Sequence, residues 1–321
     1  MTSLLDHRLL FVTGKGGVGK TTVAAALALL ASRQGKRTLV CEVDAKGDVA
    51  TAYGVGPTEF EPKEVQPRLF AMSMSTEESL KEYLKLQMRL PLVARIGPLA
   101  RTFDFIANAA PGVKEILIVG KLAYEVREDN YDIVIVDASA TGHVVAQLAA
   151  PEAIGELVKV GRVRDQTSWM ADILHDPVKT GVAIVCSPEE MPVAETLELA
   201  ARIADETDVH LTGVIANRVL PELFGRGEEE IFERLRTPER VEALSAAAGG
   251  SVSPVLDAAE LAVKLRRTRA GHLENLRSSL PAGVPLVYVP ELFARAQGMR
   301  ATNQMAEALG AELDLELGEP A

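Results

Sequence analysis

Residues 14–21 read Gly-Lys-Gly-Gly-Val-Gly-Lys-Thr. Glycines at this density leave backbone N–H groups free to converge on phosphate oxygens, and a helix starting behind them adds the positive end of its dipole. The spacing G-x-x-x-x-G-K-[ST] predicts a cradle for a nucleoside phosphate. Gly14, Gly16, Gly17, Val18 and Gly19 would supply its backbone. Lys20 would hold the β- and γ-phosphates, the Thr21 hydroxyl would ligate Mg²⁺ directly, and Thr22 would reach the α-phosphate. Lys15 is not required by such a loop, so its presence needs its own reason. Asp44 and Asp137 each close an apolar run. A carboxylate there stands at the C-terminal end of a buried strand, where the chemistry of parallel sheets gathers. Asp48 is the runner-up to Asp44 and reads as a solvated turn residue.

These residues need elements to position them. Apolar runs at Arg8–Thr13, Arg37–Val43, Leu69–Ser73, Tyr131–Val136, Gly181–Cys186, His210–Ala216 and Pro285–Val289 read as strands. Helical patterns separate most of them, the first from Gly19 to about Gln34. Alternation of this kind predicts an α/β fold with a doubly wound, mostly parallel sheet, in which chemistry gathers at the C-terminal strand ends. Gly14, Asp44, Asp137, Ser187 and Asn217 all fall there. Two stretches, about 76–110 and 228–280, break the alternation and read as helical additions. With no Gly/Ser/Pro linker, no internal repeat and one phosphate motif, residues 1–321 read as a single domain. The acidic end 311–321 reads as a flexible tail.

Composition narrows the class. The chain is 47% hydrophobic and 25% charged, which is globular rather than disordered. Its net charge of −11 disfavours a nucleic-acid or anionic-membrane coat. No apolar run approaches a membrane span, and no leader pattern opens the chain, so a cytoplasmic protein without an integral membrane segment is expected. Two cysteines, Cys41 and Cys186, supply neither a disulfide framework nor a four-cysteine cluster. Arg266, Arg267 and Arg269 form a short basic run that reads as a solvated helix face.

Lys15–Thr22, Lys-Gly-Gly-Val-Gly-Lys-Thr-Thr, resembles the deviant phosphate loop of the Min-type, plasmid-partition, nitrogenase-iron-protein and arsenical-pump ATPases. Further segments resemble one branch of that class, the arsenical-pump and tail-anchored-protein-targeting ATPases. Asp137-Ala138-Ser139-Ala140-Thr141-Gly142-His143 is similar to their Asp-Thr-Ala-Pro-Thr-Gly-His switch. Pro111-Gly112, Asp176-Pro177 through Glu195-Thr196, Asn217, and Val289-Pro290-Glu291-Leu292-Phe293 fall in the family's order. The likeness runs from about residue 8 to about residue 300 and leaves out 58–110 and 228–280.

The resemblance implies a P-loop NTPase that binds and hydrolyses ATP with Mg²⁺. It implies that Lys15 reaches the nucleotide of a facing subunit and that Asp44 orients the attacking water. Asp44 and Asp137 would touch the Mg²⁺ shell through water. Asn217 would read adenine, Glu189 would lie near the nucleotide, and Pro290, Leu292 and Phe293 would cap the base. Thr141, Gly142 and His143 would form a switch. Where the family has Asp-Pro-Ala-His, this chain reads Asp44-Ala45-Lys46-Gly47, so the first switch departs from the pattern. One phosphate loop per chain implies a homodimer or a pairing with a paralogue. The missing Cys-x-x-Cys excludes the shared zinc of the targeting members, and the cysteine count excludes an iron–sulfur cluster.

A client, such as a membrane protein, would need an apolar groove. The candidate walls are Ile154, Leu157, Val158, Val163, Trp169, Met170, Ile173 and Leu174, and Leu84, Met88, Leu92, Val93, Ile96, Phe103 and Phe105. The competing readings are a Min- or partition-type positioning ATPase, disfavoured by the acidic tail, and a scaffold that dimerises on ATP with little hydrolysis.

Overall fold

Apolar runs too short for helices become strands in the computed structural model, which describes residues 4–88, 112–157, 162–225, 227–292 and 297–315. The strands are β1 (Leu9–Gly14), β2 (Thr38–Glu42), β3 (Lys63–Gln66), β4 (Leu69–Ser73), β5 (Ile133–Asp137), β6 (Thr180–Cys186), β7 (Leu211–Val219) and β8 (Leu286–Pro290). They form one sheet of order β3-β4-β2-β5-β1-β6-β7-β8. Every pairing is parallel except β3 with β4. Side chains alternate across it as the pleat requires. Leu9 and Phe11 enter the core on one face, and Leu10 and Val12 enter the core on the other.

Both faces are covered. The helices are α1 (Lys20–Arg33), α2 (Asp48–Tyr53), α3 (Thr76–Met88), α4 (Val113–Arg127), α5 (Thr141–Leu157), α6 (Arg162–Leu174), α7 (Glu190–Glu206), α8 (Glu228–Leu235), α9 (Pro238–Ala248), α10 (Ser253–Ser279) and α11 (Met299–Glu312). Helices α1, α2 and α11 cover the Leu10 face, and α4 to α7 cover the Leu9 face. The doubly wound α/β class is as the sequence predicts. Chain direction across the sheet reverses at β1, which lies between β5 and β6. The glycine-rich loop leaves β1 at that switch point, where such sheets bind ligands.

Several details differ from the sequence reading. Strand β3, Lys-Glu-Val-Gln, is a half-exposed antiparallel edge without the apolar run of a buried strand. Asp48 opens α2, a helix bracketed by Gly47 and Gly54, both left-handed. Asn217 lies inside β7, at a register shift where Arg218 takes a φ of 60°. The addition at 228–280 is three helices, α8 to α10. Of the stretch at 76–110, Thr76–Met88 is helical and residues 89–110 lie outside the described residues. Of the acidic end, Ala311 and Glu312 close α11, Leu313 and Leu315 pack against the core, and 316–321 lie outside the described residues. Among the described residues no helix is long and apolar enough to cross a membrane.

Candidate nucleotide site

The loop between β1 and α1 is shaped by its glycines. Gly14 has φ 143°, and a Cβ there would meet the Val185 carbonyl oxygen at 2.2 Å. Gly19, at φ 96°, is the left-handed residue that opens α1, and a Cβ there would meet Asn217 Nδ2 at 2.5 Å. Val18 is buried and anchors the loop, while Gly16 and Gly17 are exposed. The free N–H groups of the first turn of α1 therefore face a cavity of ≈ 690 Å³ lined by Lys20, Thr21, Thr22, Glu42, Asp44 and Asp137 among others. That volume accommodates a nucleotide-sized ligand.

The polar side chains of this cavity are tied together. Thr21 Oγ1 donates to Asp137 Oδ2 at 2.7 Å. Asp137 Oδ1 is buried and without a hydrogen-bond partner among the described residues. Burial pushes the Asp137 carboxyl up to about 6, against the Thr21 hydroxyl and the Lys20 ammonium, which pull it down. Burial lowers the Lys20 amine, and Asp137 and Asp44 partly offset that. Lys20 Nζ donates to the Lys15 carbonyl at 3.3 Å. Asp44 Oδ1 accepts from Ser139 Oγ at 2.7 Å, and Lys46 Nζ lies 3.5 Å from Oδ2. Partial burial disfavours the Asp44 carboxylate, but Ser139 and Lys46 outweigh it and hold the group below its usual range. A hydroxyl beside a buried, half-partnered carboxylate is an oxygen donor set suited to a hard divalent cation.

Two contributors escaped the sequence reading. Glu42 is buried at the end of β2, and its carboxylate accepts from the backbone N–H of Lys46, Gly47 and Asp48 at 3.1, 3.2 and 2.9 Å. It clamps the loop that carries Asp44. An acid inside a strand gave no signal of this. Ser139, quoted in the second motif, is the residue that holds Asp44.

A second cavity adjoins the first at Gly19 and Thr22 and is lined by Asn217, Arg218, Pro290 and Leu292. Asn217 Nδ2 donates to the Val18 carbonyl at 2.8 Å, and Oδ1 accepts from the Arg218 N–H at 2.9 Å. One N–H and one lone pair of that amide remain. Phe293 lies outside the described residues. Glu189, the N-cap of α7, is exposed and meets Arg269 at 3.5 Å. Arg269 also approaches Glu291 at 4.0 Å, so it braces the loops after β6 and β8 rather than a solvated face. Thr141, Gly142 and His143 form the first turn of α5 on the surface. Lys15 does not line the phosphate-side cavity; its ammonium donates to Glu195 at 2.6 Å.

Away from the loop, Ile154, Trp169 and Met170 line an apolar cavity with Leu80, Ile116 and Leu117. Ile173 and Leu174 are core residues. Pro111, Val158 and residues 89–110 of the other wall lie outside the described residues, as do the side chains of Leu84, Met88, Leu157 and Val163. Cys41 and Cys186 are buried, and burial raises both thiols, Cys186 to about 11. Glu152, His175 and Asp208 bring ligand-type atoms within 4.8 Å of one another near the N-terminal ends of β6 and β7, and none of the three lines the cavities above.

The model of the anion-transporting ATPase family matches residues 7–171 and 157–240, including residues 58–110, which the motif likeness left out. The ATPase BagA of Mycobacterium tuberculosis is 32% identical over 225 residues, covering 67% of this chain and 66% of its own length. A putative arsenical pump-driving ATPase of Halobacterium salinarum is 27% identical over 294 residues, covering 85% of this chain and 44% of its own. An ATPase ASNA1 homolog of Plasmodium falciparum is 21% identical over 343 residues, covering 96% of this chain and 88% of its own. The chain thus spans just under two thirds of the mycobacterial relative and less than half of the halobacterial one.

Proposed function

The chain belongs to the anion-transporting ATPase family, and on that premise we propose that it is a dimeric, Mg²⁺-dependent ATP hydrolase whose nucleotide-driven opening and closing controls binding of a protein client. The observation that carries this reading is the convergence of Lys20, Thr21, Asp44 and Asp137 on one cavity at the start of α1.

The loop amides and Lys20 would hold the β- and γ-phosphates. Thr21 would hold Mg²⁺ directly, and Asp44 and Asp137 would reach it through water. Bound Mg²⁺ neutralises charge on the phosphate oxygens. Asp44, steadied by Ser139 and by the Glu42 clamp, orients the attacking water. Asn217 uses its remaining N–H and lone pair on the adenine edge, and Pro290, Leu292 and Phe293 cover the base. Phosphoryl transfer of this kind is mainly positioning and charge stabilisation. Lys15 of the facing chain, identical or a paralogue, adds positive charge only when the pair closes. Glu189 flanks that interface, and Thr141, Gly142 and His143 relay nucleotide state into α5. The client reading draws on the apolar cavity beside Trp169, which suits an apolar segment such as that of a membrane protein. With both cysteines buried, no zinc or iron–sulfur cluster is invoked.

Phosphate release measured with mixed mutants tests the reading. Lys15→Ala and Asp44→Asn chains should each be nearly inactive alone. In a mixed dimer, the Lys15→Ala chain keeps its own Asp44 and receives its partner's Lys15, so one site recovers. Persistent inactivity despite demonstrated mixed dimers would refute the role of Lys15 across the interface.

A further inference from the structure

Lys15 is fixed at its backbone and free only along its stem. Gly14 abuts the Val185 carbonyl on one side, and Lys20 Nζ donates to the Lys15 carbonyl on the other. Its ammonium is committed to Glu195 Oε1 at 2.6 Å, with the two side chains 29% and 31% exposed. Glu195 sits on α7, which buries Pro192, Val193, Thr196 and Leu199, so the carboxylate is presented from a helix anchored in the core. An ammonium has three N–H donors, but a lysine stem folded onto a carboxylate of its own chain must swing away from it to extend toward a phosphate on a facing chain. No other contact to the Glu195 carboxylate occurs among the described residues, so the release of Lys15 also leaves an unpaired negative charge on α7.

We propose that Glu195 is an intramolecular competitor for Lys15: it holds the lysine in the separate chain, yields it only to the terminal phosphate of a facing subunit's triphosphate, and so sets the threshold for dimer closure. The inference rests on the role across the interface given to Lys15 above. Charge decides the exchange. A carboxylate carries one negative charge, whereas a terminal phosphate carries up to about two at neutral pH. The γ-phosphate of a triphosphate outbids Glu195; a diphosphate, whose terminal charge lies one phosphate short, does not. Glu195 touches no reacting atom and is a positioning residue acting through Lys15.

The test is the protein concentration at half-dimerisation, measured by sedimentation with a non-hydrolysable ATP analogue. A half-exposed ion pair contributes about threefold. A two-fold dimer breaks two of them, so Glu195→Gln should lower that concentration about tenfold (~1.4 kcal/mol). It should also produce dimer in ADP at concentrations where the wild type stays monomeric. Glu195→Asp, which keeps the charge, should stay close to wild type. In a Lys15→Ala background, Glu195→Gln should change nothing. An unchanged or weaker dimer in Glu195→Gln, beside a normal wild-type dimer, overturns the latch alone. The same gain without Lys15 also overturns it, because the carboxylate would then act by repulsion. A wild type that never dimerises with the analogue removes the proposed role of Lys15, and the latch with it.

Discussion

The phosphate end of the sheet and the helical arm of α8 to α10 are built on opposite terms. At the phosphate end Thr21, Glu42, Asp44 and Asp137 are held by hydrogen bonds to side chains or backbone, Glu42 and Asp137 are buried, and the loop is pinned by contacts that only glycine permits. In the arm, α9 buries no side chain, and α10 buries only Val263, Leu273 and Leu276 along 27 residues. Val255 is 70% exposed and Leu261 59%. Surface ion pairs such as Arg236–Glu260 at 2.5 Å and Arg267–Glu229 at 2.6 Å tie the arm's helices to one another. Groups that must be placed to fractions of an ångström sit where the chain is over-determined. Apart from Arg269, which braces the loops after β6 and β8, the arm has latitude to change without disturbing them.

The contrast can be broken most sharply at the phosphate end. Lys20→Ala should abolish nucleotide binding measured by calorimetry. Asp44→Asn should keep binding and lose a hundredfold or more in turnover; wild-type turnover would remove Asp44 from the mechanism. Gly14→Ala should cost on the order of 3 kcal/mol, because the added methyl meets a backbone carbonyl that cannot withdraw. Thermal unfolding should show a fall of several degrees, and an unshifted midpoint would mean the loop is looser than described. Glu42→Gln replaces a carboxylate by an amide that turns an N–H₂ toward backbone N–H groups, a loss of about 1–3 kcal/mol. Its turnover should drop about tenfold with nucleotide affinity changed less. Arg236→Ala, in the arm, should shift stability by under about 1 kcal/mol and leave turnover alone. A loss of activity there would show that the arm is coupled to the site after all.

Much of this was legible because buried parallel strands must be apolar. The runs ending at Gly14, Asp44 and Asp137 stand out against polar loops, and the glycine spacing marks where a backbone has to curl. Strand β3 was not legible, since an edge strand facing water carries no apolar signature. Helix α2 was hidden by its six-residue length between two glycines. Glu42, Ser139 and Glu195 could not be matched to Lys46, Asp44 and Lys15, because each pairing except that of Glu42 crosses a long stretch of chain. Even Glu42 reads as a strand residue until the turn after β2 folds back on it.

The Asn217 amide has a consequence for altering nucleotide preference. It carries the Val18 carbonyl and leaves no room for a Cβ on Gly19. The residue assigned to tell one base from another is thus also a strut of the phosphate loop. Retuning the pocket toward guanine by replacing Asn217 would slacken the loop at the same stroke. On the proposed reading of Asn217, base choice and triphosphate grip are inherited together, and a library that varies one must carry compensating changes for the other.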